Sequence, residues 1–126
     1  MWVTGTFIAE WIGRSKSADY RLVPDNKSIQ QLPHFAFKDA PKARSYEVLS
    51  IEIENGPDAL RMAAGSEKAE RLLSKKAKTI KATGSFLIRK YRVGVECDNY
   101  WARAEISKAK IPDPNKIARI AVPESC

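Results

Sequence analysis

The chain has 126 residues, a formal charge of +7, two cysteines and one histidine. That length fits one domain able to bury about two thirds of its unfolded surface, and two cysteines with one histidine exclude a four-ligand Cys/His zinc site. The 44% hydrophobic and 29% charged composition excludes wholesale disorder, and no apolar run approaches the ~18–20 residues of a membrane span.

The amino terminus, Met1-Trp2-Val3-Thr4-Gly5-Thr6-Phe7, reads as strand and lacks the basic, apolar and small-residue segments of a secretory signal. The expectation is a cytoplasmic protein; the alternative is a periplasmic or secreted one whose signal has been removed. Residues 2–11 alternate, with Val3, Gly5, Phe7, Ala9 and Trp11 on one side and Thr4, Thr6 and Glu10 on the other. Period two over this length predicts a half-buried strand. Residues 12–17 read as a turn, Tyr20 to Val23 as a short strand, and Pro24 closes it because proline cannot donate to a ladder. Residues 24–45, with Pro24, Pro33 and Pro41, read as an irregular excursion pinned by Phe35 and Phe37.

Tyr46 to Glu54 predicts a strand with Leu49, Ile51 and Ile53 facing in and Val48, Ser50, Glu52 and Glu54 facing out. Asn55-Gly56 supplies the positive φ angles of a tight hairpin, so residues 58–64 are expected to return as a strand with Leu60, Met62 and Ala64 inward. The competing reading starts a helix at Pro57. Ser66 to Lys76 predicts the one principal helix: Ser66 as N-cap, Glu67 and Glu70 near its positive end, Lys75 and Lys76 near its negative end. Thr79 to Val93 reads as a long strand with Ile80, Ala82, Gly84, Phe86 and Ile88 inward. Lys81, Thr83, Ser85, Arg89 and Tyr91 face the other way. Tyr100 to Ile106 is the last strand, with Trp101, Arg103 and Glu105 outward. The tail, about 109–126, holds Pro112, Pro114 and Pro123, and its apolar stretch 117–122 is expected to pack back on the body.

One internal echo stands out. Thr4-Gly5-Thr6-Phe7-Ile8 matches Thr83-Gly84-Ser85-Phe86-Leu87 in residue type at every position. An inward glycine lets a strand coil sharply or a neighbour approach closely, so both strands are expected to bend in one barrel.

The order of elements, with a helix and the basic turn Lys75-Lys76-Ala77-Lys78 leading into Thr79-Ile80-Lys81-Ala82-Thr83-Gly84, resembles the OB-fold, the oligonucleotide/oligosaccharide-binding superfold. The expected fold is therefore mainly β: a small OB-like Greek-key antiparallel barrel with one short helix at about 66–76, forming a single domain over 1–126. The resemblance implies a binding module for single strands, oligosaccharides or proteins.

Charge sharpens that expectation. Residues 66–92 hold nine Lys or Arg against Glu67 and Glu70, the whole excess of the molecule. A field confined to one stretch steers anionic partners. Single-strand binding needs aromatic platforms beside a basic groove. The expected anion-binding residues are Lys81, Arg89, Lys90, Arg92 and Arg103, with Tyr91 and Trp101 as platforms and Trp11 or Tyr46 as lesser ones. Glu52 and Glu54, on the face OB-folds offer to nucleic acid, count against it.

Catalysis finds little support. His34 has no second histidine to work with, Glu52 and Glu54 read as surface glutamates, and Gly5 and Gly84 lie inside strands rather than in a phosphate loop. The reading is a non-enzymatic module without cofactor or metal, binding single-stranded nucleic acid or another polyanion. The alternative is an envelope protein-interaction or accessory domain with a protein partner. Cys97 and Cys126 would be free thiols in the cytoplasm and could bridge in an exported protein.

Overall fold

The computed structural model describes residues 1–11, 18–32, 49–73, 78–96, 99–113 and 117–121. These form strands β1 (Trp2–Glu10), β2 (Asp19–Pro24), β3 (Ile51–Ile53), β4 (Lys78–Glu96), β5 (Asn99–Lys110) and β6 (Ala118–Ala121). Three helices accompany them: α1 (Asn26–Gln31), α2 (Gly56–Ala64) and α3 (Ser66–Leu73). The protein is mainly β, as its alternating segments predict. Five strands run in the order β1-β2-β3-β5-β4, and β4 pairs back on β1, so the sheet closes in a ring; β6 adds to β4.

Among the described residues every strand pairing is antiparallel except one. β3 and β5 run parallel, with Glu52 opposite Arg103 and Ile53 opposite Ala104, which corrects the expectation of an antiparallel sheet throughout. The reason is arithmetic: strand directions cannot alternate all the way round a ring of five, so one pair must run parallel.

The predicted inward residues, joined by Leu22 of β2, fill the ring. Val3, Phe7, Leu22, Ile51, Ile80, Phe86 and Ile106 are all at most 1% exposed, each contributing about 1.5–3 kcal/mol by burial. The rings of Phe7 and Phe86 meet at 6.2 Å, and Phe7 stacks with Tyr20 at 6.1 Å. The two echoing pentapeptides lie on neighbouring strands, and Gly5 stands directly opposite Gly84. A Cβ on Gly5 would strike the Val23 carbonyl, and one on Gly84 the Lys110 carbonyl. The ends of β2 and β5 therefore cross β1 and β4 at their glycines.

Three expectations about helices are corrected. Residues 58–64 do not return as a strand; they belong to α2, with Pro57 in its first turn and Gly56, Ala59, Leu60 and Ala63 buried along one face. Met62, expected inside, is 41% exposed. The helical period is carried by alanines, so a search for large apolar residues passes over it. The principal helix is also not the only one. α3 is eight residues long, and Ser66 opens it rather than preceding it, because the Gly65 carbonyl accepts the Ala69 N–H at 2.9 Å. Inside the irregular 24–45 segment lies α1, capped by the Asp25 carboxylate, which accepts from the Ser28 N–H at 2.9 Å. This helix finishes β1 where β2 runs out: Ser28 Oγ accepts the Thr4 N–H at 2.9 Å, and the Asp25 N–H donates to the Thr4 carbonyl at 2.8 Å. Both backbone groups of Thr4 are thereby satisfied on the side where β2 has ended.

β3 is shorter than predicted. Leu49 is 65% exposed and lies outside it. Asn55 extends it in another way: its Nδ2 donates to the Ile106 carbonyl at 2.7 Å, and its Oδ1 accepts the Ile106 N–H at 2.9 Å. A side-chain amide here copies what the next strand residue would do. The tail packs back, as expected, with Ile117 buried and β6 paired to residues 78–81 of β4. Phe35, Phe37, Lys75, Lys76, Cys97 and Cys126 lie outside the described residues. No helix among those described is long and apolar enough to cross a membrane.

Candidate functional site

Six of the seven expected binding residues gather on neighbouring stretches of β4 and β5. Arg89, Lys90, Tyr91 and Arg92 belong to β4 and Trp101 and Arg103 to β5. Between Arg89, opposite Glu105, and Arg92, opposite Arg103, β4 carries one residue more than β5. This is a β-bulge, and Lys90 takes the left-handed conformation there at φ 55°. A bulge re-aims the side chains that follow it. Arg89 and Arg92 both stay on the outer surface, whereas Tyr91 turns to pack against the core. Burial pushes the Tyr91 hydroxyl above its ordinary pKa. The expected outward projection of Tyr91 beside Arg89 is thus corrected, because the alternation that predicted it breaks at Lys90.

The cations of this surface are matched by carboxylates. Arg89 Nε donates to Glu105 at 2.8 Å, with Lys90 Nζ 3.7 Å from the same carboxylate. Arg92 reaches Glu54 at 2.7 Å, and Arg103 Nε donates to Glu52 at 3.0 Å. Glu52 and Glu54 do face outward, as read from the sequence, and they balance Arg103 on the adjacent β5 and Arg92 on β4 beyond it. Among the described residues, Arg89, Lys90, Arg92 and Arg103 against Glu52, Glu54 and Glu105 leave this surface with a net charge of only +1. An incoming phosphate there must compete with carboxylates already in place.

Trp101 is half-buried. The Arg103 guanidinium lies 4.2 Å from its ring centre, a cation–π contact. The indole also rests on Gly94, where any Cβ would collide with it. Stacking a base on Trp101 therefore requires displacing Arg103 or opening the strand. Trp11, a lesser platform in the sequence reading, is 8% exposed and belongs to the core; Tyr46 and His34 lie outside the described residues.

Lys81 stands apart from the other six. It lies eight residues before Arg89 on β4, roughly 25 Å of extended strand, and its register neighbours are Ile8 on β1 and Ala118 on β6. From Lys81 the outer face of β1, β4 and β5 carries hydroxyls instead of ion pairs. Thr6 and Thr83 hydrogen-bond at 3.0 Å, and Thr4 and Ser85 at 3.4 Å. Beyond them Trp2 is 40% exposed, and Lys110 Nζ sits 4.8 Å from its ring centre. Lys108 is exposed beside Leu87. The sequence reading missed Trp2, Lys108 and Lys110. It ended the last strand at Ile106, whereas a second irregularity, with Leu87 opposite Lys108 and Ile88 opposite Ile106, carries β5 on to Lys110. Lysines alternating one step out of phase after Ile106 were the available signal.

Among the described residues no group of three His, Cys, Asp or Glu could hold a metal ion. Of the carboxylates on these faces, Glu105 has the clearest electrostatic signature: the Arg89 hydrogen bond, with Lys90 adding to it, holds its carboxyl below the ordinary carboxylate range. A depressed carboxyl contributes stability that is present above its unfolded pKa and lost as pH falls through its folded one. In R89Q the Glu105 resonance, followed by carbon-detected NMR, is expected to titrate at higher pH than in the parent. An unchanged midpoint would remove Arg89 as the cause.

No protein-family model, curated protein or solved structure matches this chain.

Proposed function

We propose that this protein is a non-enzymatic OB-like binding module for an extended polyanion, with single-stranded nucleic acid as the chemistry it fits best. The observation that carries the reading is the charge: an excess of seven confined to residues 66–92. That stretch feeds α3 and most of β4, a strand that touches β1, β5 and β6. The strand order supports the OB-like part of the reading, since a five-stranded Greek-key barrel is the frame of that superfold and both α2 and α3 fall between β3 and β4.

The test is a titration of the intact chain with a fluorescein-labelled oligothymidylate at roughly 50 and 200 mM salt. Affinity is expected to fall steeply with salt, because counterions released from the strand drive binding. Binding no tighter than to an unrelated basic protein of equal charge would defeat the reading.

A second reading, an envelope protein-interaction domain, draws on the arginine–glutamate surface of β3, β4 and β5. It presents both signs of charge at fixed register, the kind of pattern that fixes orientation at a protein interface.

A further inference from the structure

The expected site and the face of unpaired cations do not coincide. Around the β4 bulge each arginine already has a carboxylate within 3.0 Å. On the outer face of β1, β4 and β5, by contrast, Lys81, Lys108 and Lys110 make no ion pair among the described residues, and all three are exposed. Between them run two cross-strand hydroxyl pairs, Thr4–Ser85 and Thr6–Thr83. In each pair one hydroxyl spends its only proton on the other, so both keep acceptor capacity and one keeps a proton to donate. Trp2, 40% exposed, stands at the end of this stripe with the Lys110 ammonium against one side of its ring.

Resting on the binding-module reading, we propose that the single strand crosses this β1–β4–β5 face, with its phosphates on Lys81, Lys108 and Lys110 and a base stacked on Trp2. The chemistry is complementary at each point. Uncompensated ammonium groups release counterions from a phosphate chain, hydroxyls donate to phosphate and sugar oxygens, and an exposed indole stacks any base. Ser85 is the register partner of Lys110 and lies four residues from Lys81 on β4, roughly 13 Å of strand. A ligand touching all three lysines therefore spans a few nucleotides, in keeping with site sizes of about 4–16 per OB-fold. The ion-paired surface offers none of this without first breaking Arg–Glu contacts.

The experiment compares the intact chain with three variants, using an oligothymidylate of about 16 nucleotides at several salt concentrations. Far-UV circular dichroism confirms that each variant folds, which their exposed positions favour. In K81Q/K108Q/K110Q the slope of log affinity against log salt is expected to become shallower by about 2, since each phosphate contact on a single strand contributes roughly 0.7. W2A is expected to weaken binding on the order of tenfold at every salt concentration, and W2F to restore most of it. R89Q/R92Q is expected to leave the slope as it is. If R89Q/R92Q flattens the slope and the lysine variant does not, the face is wrong while the binding module stands. If the intact chain binds no oligonucleotide, the module reading falls and this proposal with it. Equal losses for heparin and oligonucleotide in the lysine variant, with no effect of W2A, would mark a general polyanion surface and overturn the nucleic-acid assignment.

Discussion

Replacing Gly84 by alanine is expected to destabilise the protein by about 3 kcal/mol and to lower its melting temperature by roughly 10 °C. The added methyl would collide with the Lys110 carbonyl and lie 2.9 Å from Ile111 Cδ1. The side chain of Ile111 can give way, but the carbonyl belongs to a strand end fixed by its ladder. Alanine also narrows the unfolded ensemble, which favours the folded state by about 0.4–1 kcal/mol; the clash is the larger effect. Gly5→Ala meets the same obstacle at the Val23 carbonyl, with Pro24 Cα 2.8 Å away, and should be affected alike. Thermal unfolding followed by circular dichroism measures both. A Gly84→Ala melting curve overlying the parent's would mean that β5 does not cross β4 so closely in solution.

Removing the Asn55 amide should weaken the fold by a similar amount. In Asn55→Ala the N–H and carbonyl of fully buried Ile106 lose their partners together, and each stranded backbone group costs about 1–3 kcal/mol. Asn55→Asp separates the two halves of the clamp. Its carboxylate still accepts the Ile106 N–H but turns an acceptor toward the Ile106 carbonyl. Amide exchange at Ile106 should accelerate strongly in the alanine variant and less in the aspartate variant. Equal protection in all three proteins would show that the clamp holds nothing.

Asn55 also explains where sequence reading stops. Asn-Gly is a strong turn signal on local grounds, and both residues are needed here for reasons that are not local. Asparagine holds a strand 51 residues away, and glycine makes room for the Tyr20 ring, which lies where a Cβ of Gly56 would be. Period-two alternation was legible wherever one face packs inward and the other meets solvent, as in β1 and most of β4. It failed at Lys90, where a single extra residue reverses the faces, and at α2, whose buried stripe holds one large apolar residue, Leu60, among Gly56, Ala59 and Ala63. The charge excess was legible as a count. Its distribution was not, because Glu52 and Glu54 are far in sequence from the arginines they neutralise, and Lys108 and Lys110 lie outside the basic run altogether.

Ring closure has a consequence for how the chain reaches this fold. The seam joins β1 to β4, and the hydroxyls of Thr4 and Ser85 that meet across it are 81 residues apart in the chain. A contact of that range demands loop closure before any ladder bond repays it, so folding should be slow, on the millisecond-to-second scale of non-local β topologies. During synthesis β1 emerges before β4 and waits, with a strand edge exposed, until β4 follows. The early-made residues Trp2 to Glu10 are the stretch most in need of protection from pairing with another chain.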